Sequence, residues 1–105
     1  MGKMSRNKGA RFEREIAHLL TDNGWPATRG CQYSGGADSP DVRATTFPFH
    51  LECKRVERLD LYGAMTQAIG DAQGQKMPAV VSKRNHADIL FTCKFKDLLA
   101  WLAEQ

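Results

Sequence analysis

Residues 41–56, DVRATTFPFHLECKRV, decide how this chain folds. From Phe47 onward the run alternates. Phe47, Phe49, Leu51 and Cys53 fall on one side of an extended backbone, and His50, Glu52 and Lys54 fall on the other. So apolar a face belongs to a strand in the middle of a small sheet. Its opposite face then presents a carboxylate and an ammonium about 7 Å apart. Residues 41–45, DVRAT, read as a short preceding strand, and TFP as the turn between the two. Pairing them as a hairpin brings the start of the first strand beside the end of the second, so Asp41 meets Glu52 and Lys54.

On the N-terminal side, a helix is expected from about Lys8 to Asn23, because Phe12, Ile16, Leu19 and Leu20 recur as one stripe. Ser5 or Asn7 is the expected N-cap and Asn23-Gly24 the stop. Glu13 lies beside the stripe, on its Ile16/Ala17/Leu20 side. Residues 29–40, RGCQYSGGADSP, carry enough Gly, Ser and Pro to make a loop. On the C-terminal side, a helix is expected from about Leu59 to Asp71, with Leu61, Ala64, Met65, Ala68 and Ile69 as its stripe. AVVSK and DILFTCKF read as two strands, and KDLLAWLAEQ as a closing helix. The order α-β-β-α-β-β-α implies one α/β domain over residues 1–105, a mixed central sheet flanked by helices.

Composition agrees with one such domain. The chain has 105 residues, 42% hydrophobic and 26% charged. No apolar run approaches the roughly 20 residues that span a bilayer. MGKMSRNKGARFERE has no apolar stretch behind its charges and lacks the myristoylation pattern, so no membrane partner and a cytoplasmic location are expected. Three cysteines with no Cys-x-x-Cys pair argue against a disulfide framework, and their spacing with His50 and His86 matches no zinc finger or ribbon. Of the net charge of +3, the distribution matters more than the sum. Lys3, Arg6, Lys8, Arg11 and Arg14 stand against Glu13 alone at the start, and Lys83, Arg84, Lys94 and Lys96 cluster late. Such clusters neutralise phosphates or simply make a solvated surface.

Two carboxylates and a lysine converging where a glycine-rich loop enters suit phosphodiester hydrolysis. Carboxylate oxygens hold Mg²⁺ with only one or two protein ligands, the rest being waters. The metal polarises a phosphoryl oxygen and acidifies a bound water, and a nearby lysine orients that water or stabilises the developing charge. Glu13 is a candidate third acidic group. No organic cofactor is implied.

Pro40-Asp41-Val42 followed by Glu52-Cys53-Lys54 resembles the PD-(D/E)xK nuclease signature. With KGARFEREIAHLL and its early glutamate, the Ser-Gly-Gly loop and AMTQAIGDAQGQKMPAVVSKRN, the chain is similar to the archaeal Holliday junction resolvases and their phage-encoded relatives. That resemblance implies a restriction-endonuclease-like core, Mg²⁺ dependence with Mn²⁺ able to substitute, branched DNA as substrate in recombination, and a homodimer. It also implies a bacterial, archaeal or phage-infected host cell. Carried over, Asp41 and Glu52 are metal ligands, with the Cys53 carbonyl as a backbone ligand. Glu13 assists directly or through a metal-bound water, Lys54 positions the attacking water, and Gln67 supports it. Arg11, Arg29, Arg55, Ser34 and Gly35 are candidates for contact with the DNA backbone. The elements after His86 match the archaeal enzymes poorly.

Other readings stand beside these. Glu-x-Lys alone is often an exposed pair on an edge strand. Gln67 could cap within the core, and Tyr33 could stack on a base or pack. His50 reads as a structural histidine, since metal-activated water removes the need for a base. Cys53 reads as a small hydrophobe. Leu98, Leu99, Trp101 and Leu102 either close the monomer's core or mark an interface. The rival functions are a nuclease of the same fold acting on flaps, nicks or plain duplex, and a DNA-binding module without catalysis.

Overall fold

The computed structural model describes residues 2–30 and 41–105, with side chains from Asn7 onward. Within them the order is α1 (Gly2–Asp22), β1 (Thr28–Arg29), β2 (Val42–Arg43), β3 (Phe49–Arg55), α2 (Leu61–Ala72), β4 (Met77–Lys83), β5 (Leu90–Cys93) and α3 (Phe95–Ala103). The strands form one sheet in the order β1-β2-β3-β4-β5, which puts β3 at the centre. β3 and β4 run parallel, and every other neighbour is antiparallel. The parallel pair is joined through α2, since parallel neighbours need a crossover long enough to return to the same end of the sheet.

The sheet is the mixed one expected, with one strand more. β1 falls at the edge of what reads as loop. Two residues carry no periodicity, and the strand exists because Thr28 pairs with Arg43 and Arg29 with Val42. Gly30 N–H extends the ladder to the Asp41 carbonyl at 2.8 Å.

Helix ends follow local chemistry. α1 begins at Gly2, so Ser5 and Asn7 lie inside the helix and do not cap it. It stops at Asn23-Gly24 as expected: Gly24 takes a φ of 94°, and Trp25 N–H turns back to the Leu20 carbonyl at 2.8 Å. α2 starts two residues later than the stripe suggests, because Asp60 caps it by accepting from Gly63 N–H at 3.0 Å. A side chain at Gly63 would collide with that cap.

Both faces of β3 are covered. On one, Phe12, Ile16 and Ala17 of α1 meet Val42, Phe49, Leu51, Ala79 and Val81, with Phe47 and Cys53 at the margin. On the other, Ala64, Met65 and Ala68 of α2 meet Val80. Some residues expected in the stripes are outside the core: Leu19 is 44% exposed, Leu61 38% and Ile69 44%. Small residues, Ala17 and Ala72, are buried instead, because they let the helices approach the sheet closely. α3 buries none of its residues, which corrects the expectation that it could close the core.

Candidate active site

The hairpin that the alternation implies is present. Val42 pairs with Leu51, and the Cys53 N–H donates to Asp41 Oδ2 at 2.8 Å. The side chain of Asp41 is thus fixed against the backbone of β3, between Glu52 and Lys54 in sequence. Glu52 projects to the α2 face and is only 2% exposed. Lys54 lies on the same face, half-buried, and its Nζ donates to Gln67 Oε1 at 2.9 Å. Gln67 is exposed, so it holds the lysine and does not cap within the core.

Glu13 comes from the opposite side of the sheet. Its Oε1 accepts from Arg29 Nε at 2.7 Å. β1 is what carries Arg29 to it. The side chain of Glu13 is mostly covered and that of Arg29 more open.

The carboxylates influence one another. Burial pushes the Glu52 carboxyl above its usual range; the His50 bond opposes this, and the charges of Asp41 and Asp71 add to it. Burial also raises Glu13, with Arg29 opposing and Asp41 adding. The Cys53 thiol is pushed far up, first by burial and then by Asp41, Glu13 and Glu52, so it is inert as a nucleophile. Asp41 therefore lies within electrostatic reach of both glutamates. Negative charge accumulates there, opposed by Arg29, Arg14, Lys54 and His50, yet burial and the neighbouring carboxylates keep both glutamates raised, which is the environment a divalent cation relieves.

Among the described residues no three His, Cys, Asp or Glu side chains gather closely enough to hold a metal ion by themselves. The donor set instead fits a hard ion that takes one or two carboxylates and keeps its waters, namely Asp41 and Glu52.

The basic candidates divide. Arg11 is exposed and shares an open groove with Lys8, Arg55 and Lys83. Arg55 is braced across the ends of β3 and β4: Nη2 donates to Asn85 Oδ1 at 3.0 Å, Nη1 to the Lys83 carbonyl at 3.4 Å, and Glu57 lies 3.6 Å away. Ser34, Gly35 and Tyr33 lie outside the described residues. Lys8 and Lys83 had no signal of their own beyond the basic clusters. His50, read as structural, contacts Glu52 directly, and its one sequence signal was the shared face of the strand.

Residues 4–105 match the family model described as "Phage putative PDDEXK endonuclease". Among solved structures the chain is similar to Hjc, a Holliday junction resolvase from the archaeal hyperthermophile Archaeoglobus fulgidus. The TM-score is 0.61 at 26% identity, covering 82% of this chain and 72% of that one. No curated protein matches. The fold is the restriction-endonuclease-like one that the sequence resemblance implies. No helix in the described residues is long and apolar enough to cross a membrane.

Proposed function

This chain belongs to the phage PDDEXK endonuclease family, and on that premise we propose that it is a Mg²⁺-dependent endodeoxyribonuclease that resolves four-way DNA junctions as a homodimer. It is a nuclease of the PDDEXK type. One observation carries the catalytic reading: Asp41 is anchored on the Cys53 amide, next to a buried Glu52 and a lysine held by Gln67.

In this reading Asp41 and Glu52 hold the ion. The N–H and C=O of one strand residue point the same way, which turns the Cys53 carbonyl toward Asp41 and makes it available as a third ligand. When bound, Mg²⁺ supplies charge to a phosphoryl oxygen and lowers the pKa of a bound water. Lys54 orients the attacking water and faces the charge that develops on the phosphorus oxygens. Gln67 limits the rotamers open to Lys54. Glu13, restrained by Arg29, adds acidic charge at the margin through a bound water. Arg11, with Lys8 beside it, and the remaining guanidinium N–H groups of Arg29 contact the DNA backbone. By the family resemblance Ser34 and Gly35 are further candidates for contact with the DNA backbone, and the proposed nuclease domain spans residues 1–105. We read the activity as part of DNA recombination in the cytoplasm of an infected cell, with Mn²⁺ able to substitute for Mg²⁺.

The homodimer draws support from the C-terminal elements. Phe95 is 72% exposed, Leu99 and Leu102 51% each, and on β5 Leu90 is 62% and Phe91 47% exposed. An apolar groove on the α1 side, lined by Leu19, Trp25, Phe47, Ile89 and Phe91 among others, lies open nearby. That much apolar surface on a small chain marks an interface. Two sites related by a two-fold axis match the two cuts that a near-symmetric junction needs.

A labelled substrate panel tests the proposal: four-way junction, flap, nicked duplex, matched duplex and single strand, each with Mg²⁺ and with EDTA. Mg²⁺-dependent cleavage of the junction ahead of the others is expected. Preference for flaps, nicks or plain duplex replaces the substrate and keeps the nuclease. No cleavage of any substrate, with binding intact, leaves a DNA-binding module.

A further inference from the structure

His50 and Glu52 are two residues apart on one face of β3, and both are buried, 8% and 2% exposed. His50 Nε2 lies 3.3 Å from Glu52 Oε2. Among the described residues this is the only side-chain hydrogen bond that Glu52 makes. Lys54, on the same face of the strand, is engaged by Gln67 instead. An ionised carboxylate only accepts, so with Glu52 ionised the bond is made by the tautomer that carries the proton on Nε2. Oε2 is thereby occupied and Oε1 is left for another partner. The backbone of β3 cannot supply the same restraint. Its ladder to β4 runs in register from Phe49–Met77 to Arg55–Lys83, and fixes where Glu52 starts but not its χ angles.

Resting on the metal reading above, we infer that His50 is a positioning residue for Glu52: its Nε2–H fixes the carboxylate rotamer so that one oxygen faces the metal site. The histidine touches neither metal nor DNA. It acts as outer partners of metal ligands do, by holding the ligand in the orientation the ion requires. A space-filling histidine would need no polar contact with the carboxylate. This one lines an open groove of about 250 Å³ beside Asp71, so a shape role alone would also leave the ring free to turn outward.

The test measures Mn²⁺ binding to the DNA-free protein by calorimetry, alongside kcat and KM on the junction and thermal melting. His50→Ala is expected to weaken Mn²⁺ binding by roughly 10–100-fold, the range that loss of an outer partner produces. kcat should fall by a similar factor while KM for DNA stays within about twofold. His50→Gln keeps an N–H donor at the same reach and should recover most of the Mn²⁺ affinity. His50→Ala that binds Mn²⁺ as wild type does overturns the inference alone. His50→Gln no better than His50→Ala, with both melting at the wild-type temperature, overturns it too. Wild-type protein that binds no Mn²⁺ overturns both this inference and the metal reading on which it rests.

Discussion

The centre of the sheet and its C-terminal edge invert each other. At β3 a carboxylate and an imidazole are buried between two covered faces, where polar groups are costly without partners. At β5 and α3 phenylalanines and leucines stand in solvent, and no residue of a nine-residue helix is fully buried. A chain selected for the stability of its monomer alone would do neither. On the proposed reading, the first region tolerates charge because a metal ion would need it, and the second leaves apolar surface for a second copy to cover. Each can be broken separately, and the size of the effect should differ by readout.

The largest effect belongs to the buried carboxylate. Glu52→Gln should lower junction cleavage by more than about a hundredfold, beyond what loss of an outer partner costs. Asp41→Asn should behave alike, and DNA binding should hold or tighten, since phosphate contacts come from other residues. The same Glu52→Gln change should raise the thermal midpoint of the metal-free protein at neutral pH. Its carboxyl is raised above the unfolded value, so the ionised form costs stability as pH rises through the folded pKa. The neutral amide escapes that cost. Turnover near wild type in Mg²⁺ would remove Glu52 from the metal site. An unchanged midpoint would mean that His50 already offsets the burial.

Lys54→Ala comes next. A lysine that acts on developing charge should lose roughly 10²–10³-fold in kcat, as loss of one preorganised donor does, with little change in KM. Equal losses in affinity, with turnover at saturation intact, would make Lys54 a phosphate anchor.

At the edge, Leu99→Asp combined with Leu102→Asp should leave folding almost untouched, because neither side chain belongs to a core. A change within about 0.5 kcal/mol is expected for such exposed sites. Light scattering should then give half the wild-type mass, and preference for the junction over matched duplex should shrink while each active site keeps its chemistry. A wild-type monomer, or a variant that stays dimeric, would free this surface for another partner.

The two regions also differ in how far residue order reveals them. Asp41, Glu52 and Lys54 were legible because a two-residue period and one hairpin suffice to bring them together. Glu13 was legible as a face but not as a contact: its partner Arg29 lies sixteen residues away on a strand of two, too short to leave a pattern. The His50–Glu52 bond was hidden for a different reason. A shared face does not say whether two side chains bond or merely neighbour each other. Apolar periodicity misled at Leu19, Leu61 and Ile69, because a stripe marks what prefers burial and not how wide a helix–sheet contact is. Around Ala64 and Ala68 the contact is close and narrow, and the larger residues at its flanks stay wet. The same limit applies to α3, where the stripe is plain and its cover is absent from the chain's own core.

The smallest expected effect separates holding from reacting. Gln67 meets Lys54 through one hydrogen bond on an exposed helix surface, 2.9 Å long. Such a bond contributes about 1 kcal/mol, and somewhat more to a charged donor. Gln67→Ala frees Lys54 to sample rotamers that point away from the metal site, without removing its charge. The loss should therefore be about 5–10-fold in kcat, the rate equivalent of about 1–1.4 kcal/mol, with KM for DNA unchanged. Combining Gln67→Ala with Lys54→Ala should add nothing to Lys54→Ala alone, because the glutamine acts through the lysine. An additive double variant would show instead that Gln67 reaches the substrate or a bound water by itself, and the restraint on Lys54 would then be incidental.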